Sequence, residues 1–80
     1  MQIADMSKIH YNVGVVCMKL KYYKGATEAF TRAIQCDPYF AAAYFQRASV
    51  FYFNDNIEAA LVDYQDAYQV SLILLQQLIR

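Results

Sequence analysis

The sequence predicts an all-α fold built from two antiparallel helix pairs in tandem, and three observations support this prediction. The 80 residues are 59% hydrophobic with only two glycines, a composition typical of a helical globular domain. A shift of 34 residues shows that the chain repeats itself, because it pairs Gly14 with Ala48, Tyr23 with Ile57, Ala26 with Ala60, Phe30 with Tyr64 and Ala33 with Ala67. The single proline, Pro38, separates two segments of helical periodicity.

The first helix pair is predicted over residues 6–20 and 24–36. Residues 22–24 form a turn of the length that joins antiparallel helices. Pro38 disfavours the α region at Asp37 and has no N–H to donate, so the second helix has to end at this point.

The second pair is predicted over residues 40–53 and 57–69, joined by a turn at residues 54–56 whose asparagine and aspartate side chains cap a new helix. Leu72 stands where a second proline would be expected, so the last helix is expected to continue towards Arg80. Residues 1–80 then form one partial repeat domain, with repeat one at about 7–39, repeat two at about 40–73 and a helical extension at about 70–80. About three repeats are usually needed for stability, so marginal stability or self-association is expected.

Small residues are expected where the helices cross, because a side chain no larger than a methyl group lets two backbones approach closely. A glycine in mid-helix costs about 1 kcal/mol relative to alanine, so Gly14 indicates close packing. The other expected close-contact positions are Ala26, Ala33, Ala48, Ala60 and Ala67. The aromatic residues Tyr22, Tyr23, Phe30, Tyr44, Phe45, Phe51, Tyr52 and Phe53, together with Tyr64, are expected mainly in the core, with some facing a groove.

At these spacings the chain resembles the tetratricopeptide repeat family. The positions that carry the resemblance are Gly14, Tyr23, Ala26, Phe30, Ala33 and Pro38, followed by Tyr44, Ala48, Phe51, Ala60, Tyr64 and Ala67. His10, Val13 and Arg47 depart from the bulky aromatic and leucine positions of the family pattern. The resemblance implies a rigid helical scaffold that binds a protein partner and performs no chemistry.

The segments ADMSKIHYNVGVV at residues 4–16 and AAAYFQRA at residues 41–48 resemble NADPH oxidase activators, the family of neutrophil cytosol factor 2 and its fungal regulatory-subunit counterparts. This resemblance implies binding of a GTP-loaded Rac-type GTPase, which helps to switch on a membrane oxidase that makes superoxide. Ser7 and Asp37 fall on family positions that contact the GTPase, and Tyr39 falls where the animal protein has histidine. The family's Leu-Arg-Gly-Asn segment is absent, which implies weak binding by the chain alone.

The alternative is a generic tetratricopeptide module that binds peptides or acts as a co-chaperone. A clamp for a peptide carboxylate needs repeated cations along the groove. The predicted groove residues are Lys8, Tyr11, Asn12, Val15, Ala42, Phe45, Gln46 and Ser49, which supply one cation and two amides. An enzyme is not predicted, because the sequence has no glycine-rich phosphate loop and neither cysteine has a histidine nearby, and no cofactor or metal is expected.

Other partners and local roles follow from charge and spacing. The formal net charge is zero, and the scattered lysines of the first half are those of a solvated face, so nucleic acid is not an expected partner. VSLILLQQLIR is too short for a bilayer, which takes about 20 residues, so a cytoplasmic protein recruited to membranes only through partners is expected.

Cys17 and Cys36 are expected to be reduced. Ser7 is equally consistent with a helix N-cap, Asp37 with a helix stop, and His10 with a packed or edge histidine.

Overall fold

A computed structural model describes the backbone of residues 3–79 and the side chains of residues 6–79. Within residues 3–79 the chain forms four α-helices: α1 (Ile3–Lys19), α2 (Tyr23–Cys36), α3 (Ala41–Phe53) and α4 (Ile57–Ile79). Helix α1 packs on α2, α3 packs on α4, and α2 packs on α3, so that two helix pairs stack side by side. The predicted all-α fold is confirmed, and the stack measures 40 × 32 × 16 Å.

The turns inside the two helix pairs have the same geometry at positions 34 residues apart. Lys21 and Asp55 both adopt a left-handed backbone, with φ values of 61° and 62°. In the first turn the Tyr22 N–H donates to the Cys17 carbonyl over 2.8 Å, and the equivalent Asn56 N–H donates over the same distance. The repeat found in the sequence is therefore also a repeat of backbone structure.

The predicted position is correct for the second turn and slightly wrong for the first. The first helix pair turns one to two residues earlier than predicted, because α2 already begins at Tyr23. The second turn lies as predicted, and the Asn56 side-chain oxygen caps α4 by accepting the Ala59 N–H over 3.3 Å. Asparagine thus supplies the acceptor that the orphan N–H groups of a helix start require.

Pro38 ends α2 as predicted. Asp37 takes an extended backbone with φ −143° and ψ 94°, the region to which a following proline restricts a residue. Phe40 is the N-cap of α3, and the helix itself begins at Ala41, one residue after the predicted start. Helix α4 runs without a break to Ile79, which confirms the continuation expected from the missing second proline.

The core is built around small side chains. The five alanines expected at the helix crossings are all buried, namely Ala26, Ala33, Ala48, Ala60 and Ala67. Phe30 is fully buried beside Ala26 and Val50, with Tyr11, Val15 and Tyr23 packed against this cluster. Val50 lies on α3, so the cluster joins the two helix pairs.

The expectation that the aromatic residues lie mainly in the core is wrong. Of the nine named, only Phe30 is buried, four are half-buried, and Tyr22, Phe45, Tyr52 and Phe53 are exposed. The stack is only 16 Å across its shortest dimension, and the buried hydrophobic side chains between its helices are alanines, Val50 and one phenylalanine. The remaining rings have to lie at its surface.

Gly14→Ala should destabilise the chain, because a Cβ atom at Gly14 would lie 2.6 Å from Cε1 of the buried Phe30 ring. Overpacking costs about 1–3 kcal/mol and alanine returns about 1 kcal/mol of helix propensity. A net loss of up to about 2 kcal/mol in unfolding free energy is therefore expected from denaturant titration.

Gly25→Ala is the matched control for that measurement. A Cβ atom at Gly25 would meet the Tyr22 ring at 2.7 Å, but Tyr22 is exposed and its ring can swing into solvent. This variant should be neutral or slightly stabilising. Equal losses for the two variants would contradict the assignment of Gly14 to a fixed close contact.

Candidate functional site

Side chains of α1 and α3 meet along one face of the stack, where the sequence predicts a groove. The Gln46 amide nitrogen donates to the Tyr11 hydroxyl over 3.3 Å. The Tyr11 ring also stacks on Phe40, with 4.9 Å between ring centroids. Lys8 and Asn12 are exposed on α1. Two of the predicted groove residues are thus in direct contact across the two helix pairs, and the helix before Tyr11 carries the one groove lysine.

The groove deepens into an open, mainly apolar cleft of about 560 Å³ between α3 and α4. Phe45 meets the Tyr64 ring edge-on at 5.4 Å, and the Ser49 hydroxyl lies 3.2 Å from the Tyr64 hydroxyl. The lining residues are Ala41, Ala42, Phe45, Gln46, Tyr64, Ala67, Tyr68 and Ser71. Concave, mainly apolar surfaces with a few polar groups are typical of binding sites.

Arg47 and Asp63 form an ion pair beneath the groove that the sequence analysis did not find. Arg47 Nε donates to Asp63 Oδ2 over 2.7 Å and Nη2 donates to Oδ1 over 2.8 Å. Nη1 donates to the Thr31 hydroxyl over 3.0 Å. Asp63 is only 3% exposed. The guanidinium therefore ties α2, α3 and α4 together through a two-pronged contact, the strongest geometry for this kind of pair.

The sequence contains a signal for this pair. Asp63 lies three residues after Ala60 and four before Ala67, which places a carboxylate on the buried stripe of α4. A buried charge needs a partner, and Arg47 is the cation that replaces the expected leucine on the neighbouring helix. The hydrogen bond with Asp63 raises the pKa of the Arg47 guanidinium further, so Arg47 is charged and already paired.

Tyr44 supports the connection between the two helix pairs. Its hydroxyl donates to the Pro38 carbonyl over 3.0 Å, and the Arg47 guanidinium carbon lies 6.0 Å from its ring centroid. Partial burial, followed by the negative charge of Asp66, raises the pKa of the Tyr44 hydroxyl. The hydroxyl thus keeps its proton for this hydrogen bond at neutral pH.

The loop of residues 37–40, at one edge of the stack, is held by one of its own side chains and by one side chain of α3. Asp37 Oδ1 accepts the Tyr39 N–H over 3.0 Å, and the Tyr44 bond fixes the Pro38 carbonyl. Tyr39 is 55% exposed, whereas Asp37 is half-buried. Asp37 therefore ends α2 and shapes the loop, while Tyr39 is the residue that the loop presents to solvent.

The structure corrects the expectation that Ser7 starts or caps a helix. Helix α1 begins at Ile3, so Ser7 lies inside it, and its side chain is 2% exposed. It therefore offers almost no surface to a partner. Because α1 and α2 are antiparallel, the α1 turn that contains Ser7 lies at the same end of the stack as the 37–40 loop, and the Tyr11–Phe40 stack joins the two elements.

His10, Cys17 and Cys36 are the residues whose side chains could suggest metal or thiol chemistry. In the part of the chain that the structure describes, no group of three or more histidine, cysteine, aspartate or glutamate residues is placed to hold a metal ion. His10 is half-buried on α1, and Cys17 and Cys36 are half-buried free thiols. Among helices α1–α4, over residues 3–79, none has the length and apolar character to cross a membrane.

Comparison with protein families gives a match to the tetratricopeptide repeat model over residues 7–40. The matched segment contains most of α1, all of α2 and the loop that leads to α3. The chain contains a tetratricopeptide repeat. Helices α3 and α4 repeat the turn geometry of this unit 34 residues later. Tetratricopeptide repeats are scaffolds whose extended surfaces bind other proteins.

Known proteins of similar sequence confirm the narrower resemblance. The chain is 38% identical over 60 residues to the NADPH oxidase activator of Dictyostelium discoideum, an alignment that covers 75% of the chain and 10% of that protein. It is 38% identical over 61 residues to human neutrophil cytosol factor 2, covering 76% of the chain and 12% of that protein. The mouse DnaJ homolog subfamily C member 7 is 33% identical over 67 residues, covering 84% of the chain and 14% of that protein. The chain thus spans only about a tenth to a seventh of the length of these relatives.

Proposed function

We propose that this tetratricopeptide chain is the protein-binding part of an NADPH oxidase activator and that it binds a GTP-loaded Rac-type GTPase. The contact surface is the edge formed by the 37–40 loop and the adjoining end of α1. The observation that carries the proposal is the loop itself, which two side-chain hydrogen bonds hold in place while Tyr39 stands exposed. The similarity to oxidase activators supports the choice of partner.

The geometry of the loop suits recognition of a folded protein. A segment that is already ordered loses little conformational entropy on binding, which leaves more of the interaction energy for affinity. Tyrosine combines a large apolar ring with a hydroxyl and is enriched among the residues that dominate interfaces. Asp37 holds the turn, so its replacement acts on the shape of the loop as well as on any direct contact. Ser7, which is buried, contributes to this surface through the packing of α1.

On this proposal the chain acts in the cytoplasm and reaches a membrane oxidase through its partners. The oxidase would produce the superoxide, and the chain would supply binding and no catalytic group. The affinity of the chain alone is expected to be weak. It lacks the arginine-containing segment of the family, and a charged hydrogen bond of that kind is worth about 1.5–3 kcal/mol, which corresponds to roughly ten- to a hundredfold in affinity.

A second candidate function is peptide binding in the cleft between α3 and α4, and the similarity to a DnaJ homolog favours it. The cleft is mainly apolar, and Arg47 beneath the groove is occupied by Asp63 and Thr31. Lys8 is then the one cation among the predicted groove residues. A ligand of this cleft would have to be an apolar or aromatic segment, since the groove lacks the repeated cations of a carboxylate clamp.

Calorimetric titration of the chain with a Rac-type GTPase tests the proposal. We expect weak binding to the GTP-analogue form and no measurable binding to the GDP form. Tyr39→Ala should weaken binding about tenfold, because truncation of an interface tyrosine costs at least about 1 kcal/mol. Tyr52→Ala is the matched control, since Tyr52 has the same 55% exposure at the other end of α3, and it should leave the affinity unchanged.

Two results would remove the GTPase proposal. The first is equal affinity for the two nucleotide states, because a switch partner has to distinguish them. The second is tight binding of a peptide that ends in a free carboxylate, which would assign the chain to the peptide-binding class. Asp37→Ala should weaken GTPase binding as Tyr39→Ala does, and wild-type affinity in both variants would place the contact elsewhere.

A further inference from the structure

Helix α3 packs onto the first helix pair through one face. The same kind of junction can form between two molecules. The face contains Phe40, Ala43, Arg47 and Val50. Phe40 stacks on Tyr11, Arg47 donates to Thr31, Val50 is buried with Ala26 and Phe30, and Ala43 is fully buried. The spacing of three, four and three residues places these side chains on one side of the helix.

Helix α1 carries the corresponding face, and its side chains are exposed. The residues 34 positions earlier are Met6, Ile9, Val13 and Val16. They are all apolar, and their exposed fractions lie between 41% and 57%. Met6 and Val13 are shorter than Phe40 and Arg47, while Ile9 is longer than Ala43. The stripe therefore has the spacing of the α3 face and contains no charged residue.

The second helix pair carries the matching receiving surface, on which Phe45 is exposed. Tyr11, Ala26 and Phe30 receive α3, and their equivalents 34 positions later are Phe45, Ala60 and Tyr64. Phe45 is exposed where Tyr11 is half-buried beneath Phe40. The cleft between α3 and α4 lies at this surface, with Phe45 and Tyr64 in its lining. Within the described helices α1–α4, no helix packs on the second pair as α3 packs on the first.

The charges at the two ends are complementary in the same register. Phe53 lies with Lys19, Lys21 and Tyr23 in one cleft at the existing junction. Lys19 is the equivalent of Phe53 one repeat earlier, and Asp55 is the equivalent of Lys21 one repeat later. The same arrangement between two molecules therefore places Lys19 of the docking α1 beside Asp55 of the receiving helix pair. Both residues are exposed, and a pair of opposite charges at the rim of an interface favours its register.

We propose that the exposed stripe of α1 in one copy of this chain docks onto the α3–α4 surface of a second copy, reproducing the α2–α3 junction between molecules. The two molecules contribute different surfaces to the interface, so the contact is head-to-tail. Every open assembly then has one unoccupied α1 stripe at one end and one unoccupied α3–α4 surface at the other. Association then continues beyond a dimer as the concentration rises. This inference is tested apart from the GTPase proposal, because its experiment contains no GTPase and its blocking variants lie outside the 37–40 loop.

Sedimentation equilibrium of the full chain over a range of concentrations tests the inference. We expect the mass to rise with concentration past about twice that of one chain, as an open assembly requires. Val13→Lys blocks the stripe and Phe45→Lys blocks the receiving surface. Each variant alone should associate about tenfold or more weakly, since docking would bury an unpaired charge. An equimolar mixture of the two should form a one-to-one dimer that does not grow, because each partner supplies the end that the other lacks.

Val62→Lys is the control for adding a lysine, because Val62 is exposed on α4 and its equivalent in the first pair, Glu28, remains exposed in the template junction. This variant should associate as the wild type does. Circular dichroism melts at low concentration verify that all variants are folded. A concentration-independent monomer would overturn the inference. So would association that survives both blocking variants, or a mixture of the two that stays monomeric.

Discussion

Asp63→Leu should lower the free energy of unfolding by about 2–4 kcal/mol, the largest effect expected of a single substitution in this chain. The variant leaves the Arg47 guanidinium without the carboxylate to which it donates two hydrogen bonds. Removing one partner of a buried pair costs about 3–5 kcal/mol, and the lower bound here reflects an Arg47 side chain that is 18% exposed. Urea titration at low protein concentration measures the change.

A double-mutant cycle separates the ion pair from simple loss of packing. Arg47→Leu combined with Asp63→Leu should recover part of the stability, because an apolar pair leaves no uncompensated charge. Asp66→Leu is the matched single control, since Asp66 is exposed one turn further along α4. Equal effects of Asp63→Leu and Asp66→Leu, or strictly additive losses in the cycle, would contradict the role of the pair in joining α2, α3 and α4.

Ala60→Leu should lower the free energy of unfolding by about 1–3 kcal/mol through overpacking. Ala60 is 2% exposed at a helix crossing, where a longer side chain has no space and the helices have to move apart. Thermal melts monitored by circular dichroism measure the loss. The measurement belongs at low protein concentration, because association of folded chains raises apparent stability.

Gln65→Leu is the control for that substitution. Gln65 lies on the same helix and is exposed, so the added apolar surface stays in solvent and the melting temperature should change little. If the two variants melt alike, Ala60 is not at a close contact. That result would also contradict the explanation of the small-residue pattern.

The Arg47–Asp63 pair bears on binding as well as on stability. It holds α3 against α2 and α4 at the residue next to Gln46, which lies in the groove, so a loosened pair is expected to change the shape of the groove and the position of the 37–40 loop. Tyr44 and Phe40 connect that loop to the same helix pairs. The proposed binding surface therefore depends also on the packing between the helix pairs.

The sequence by itself determined the helices, their pairing and the family. Helical periodicity, one proline and a 34-residue self-similarity are local or evenly spaced signals, and each acts on the backbone at the point where it occurs. Asp37, Asn56 and Gly14 could be interpreted in this way, because a helix stop, a cap and a close crossing each follow from one residue type in one position. The burial of the alanines followed from the same pattern.

Only the tertiary structure decided which side chains meet and which face solvent. Arg47 and Asp63 are 16 residues apart and pair because α3 folds back against α4. The sequence predicts Ser7 at a helix start, whereas α1 begins at Ile3 and the Ser7 side chain is buried. The exposure of the aromatic residues and of the α1 stripe also depends on how many helices pack beside them. Periodicity tells which residues share a face, but the number of helices stacked beside that face decides whether it is covered.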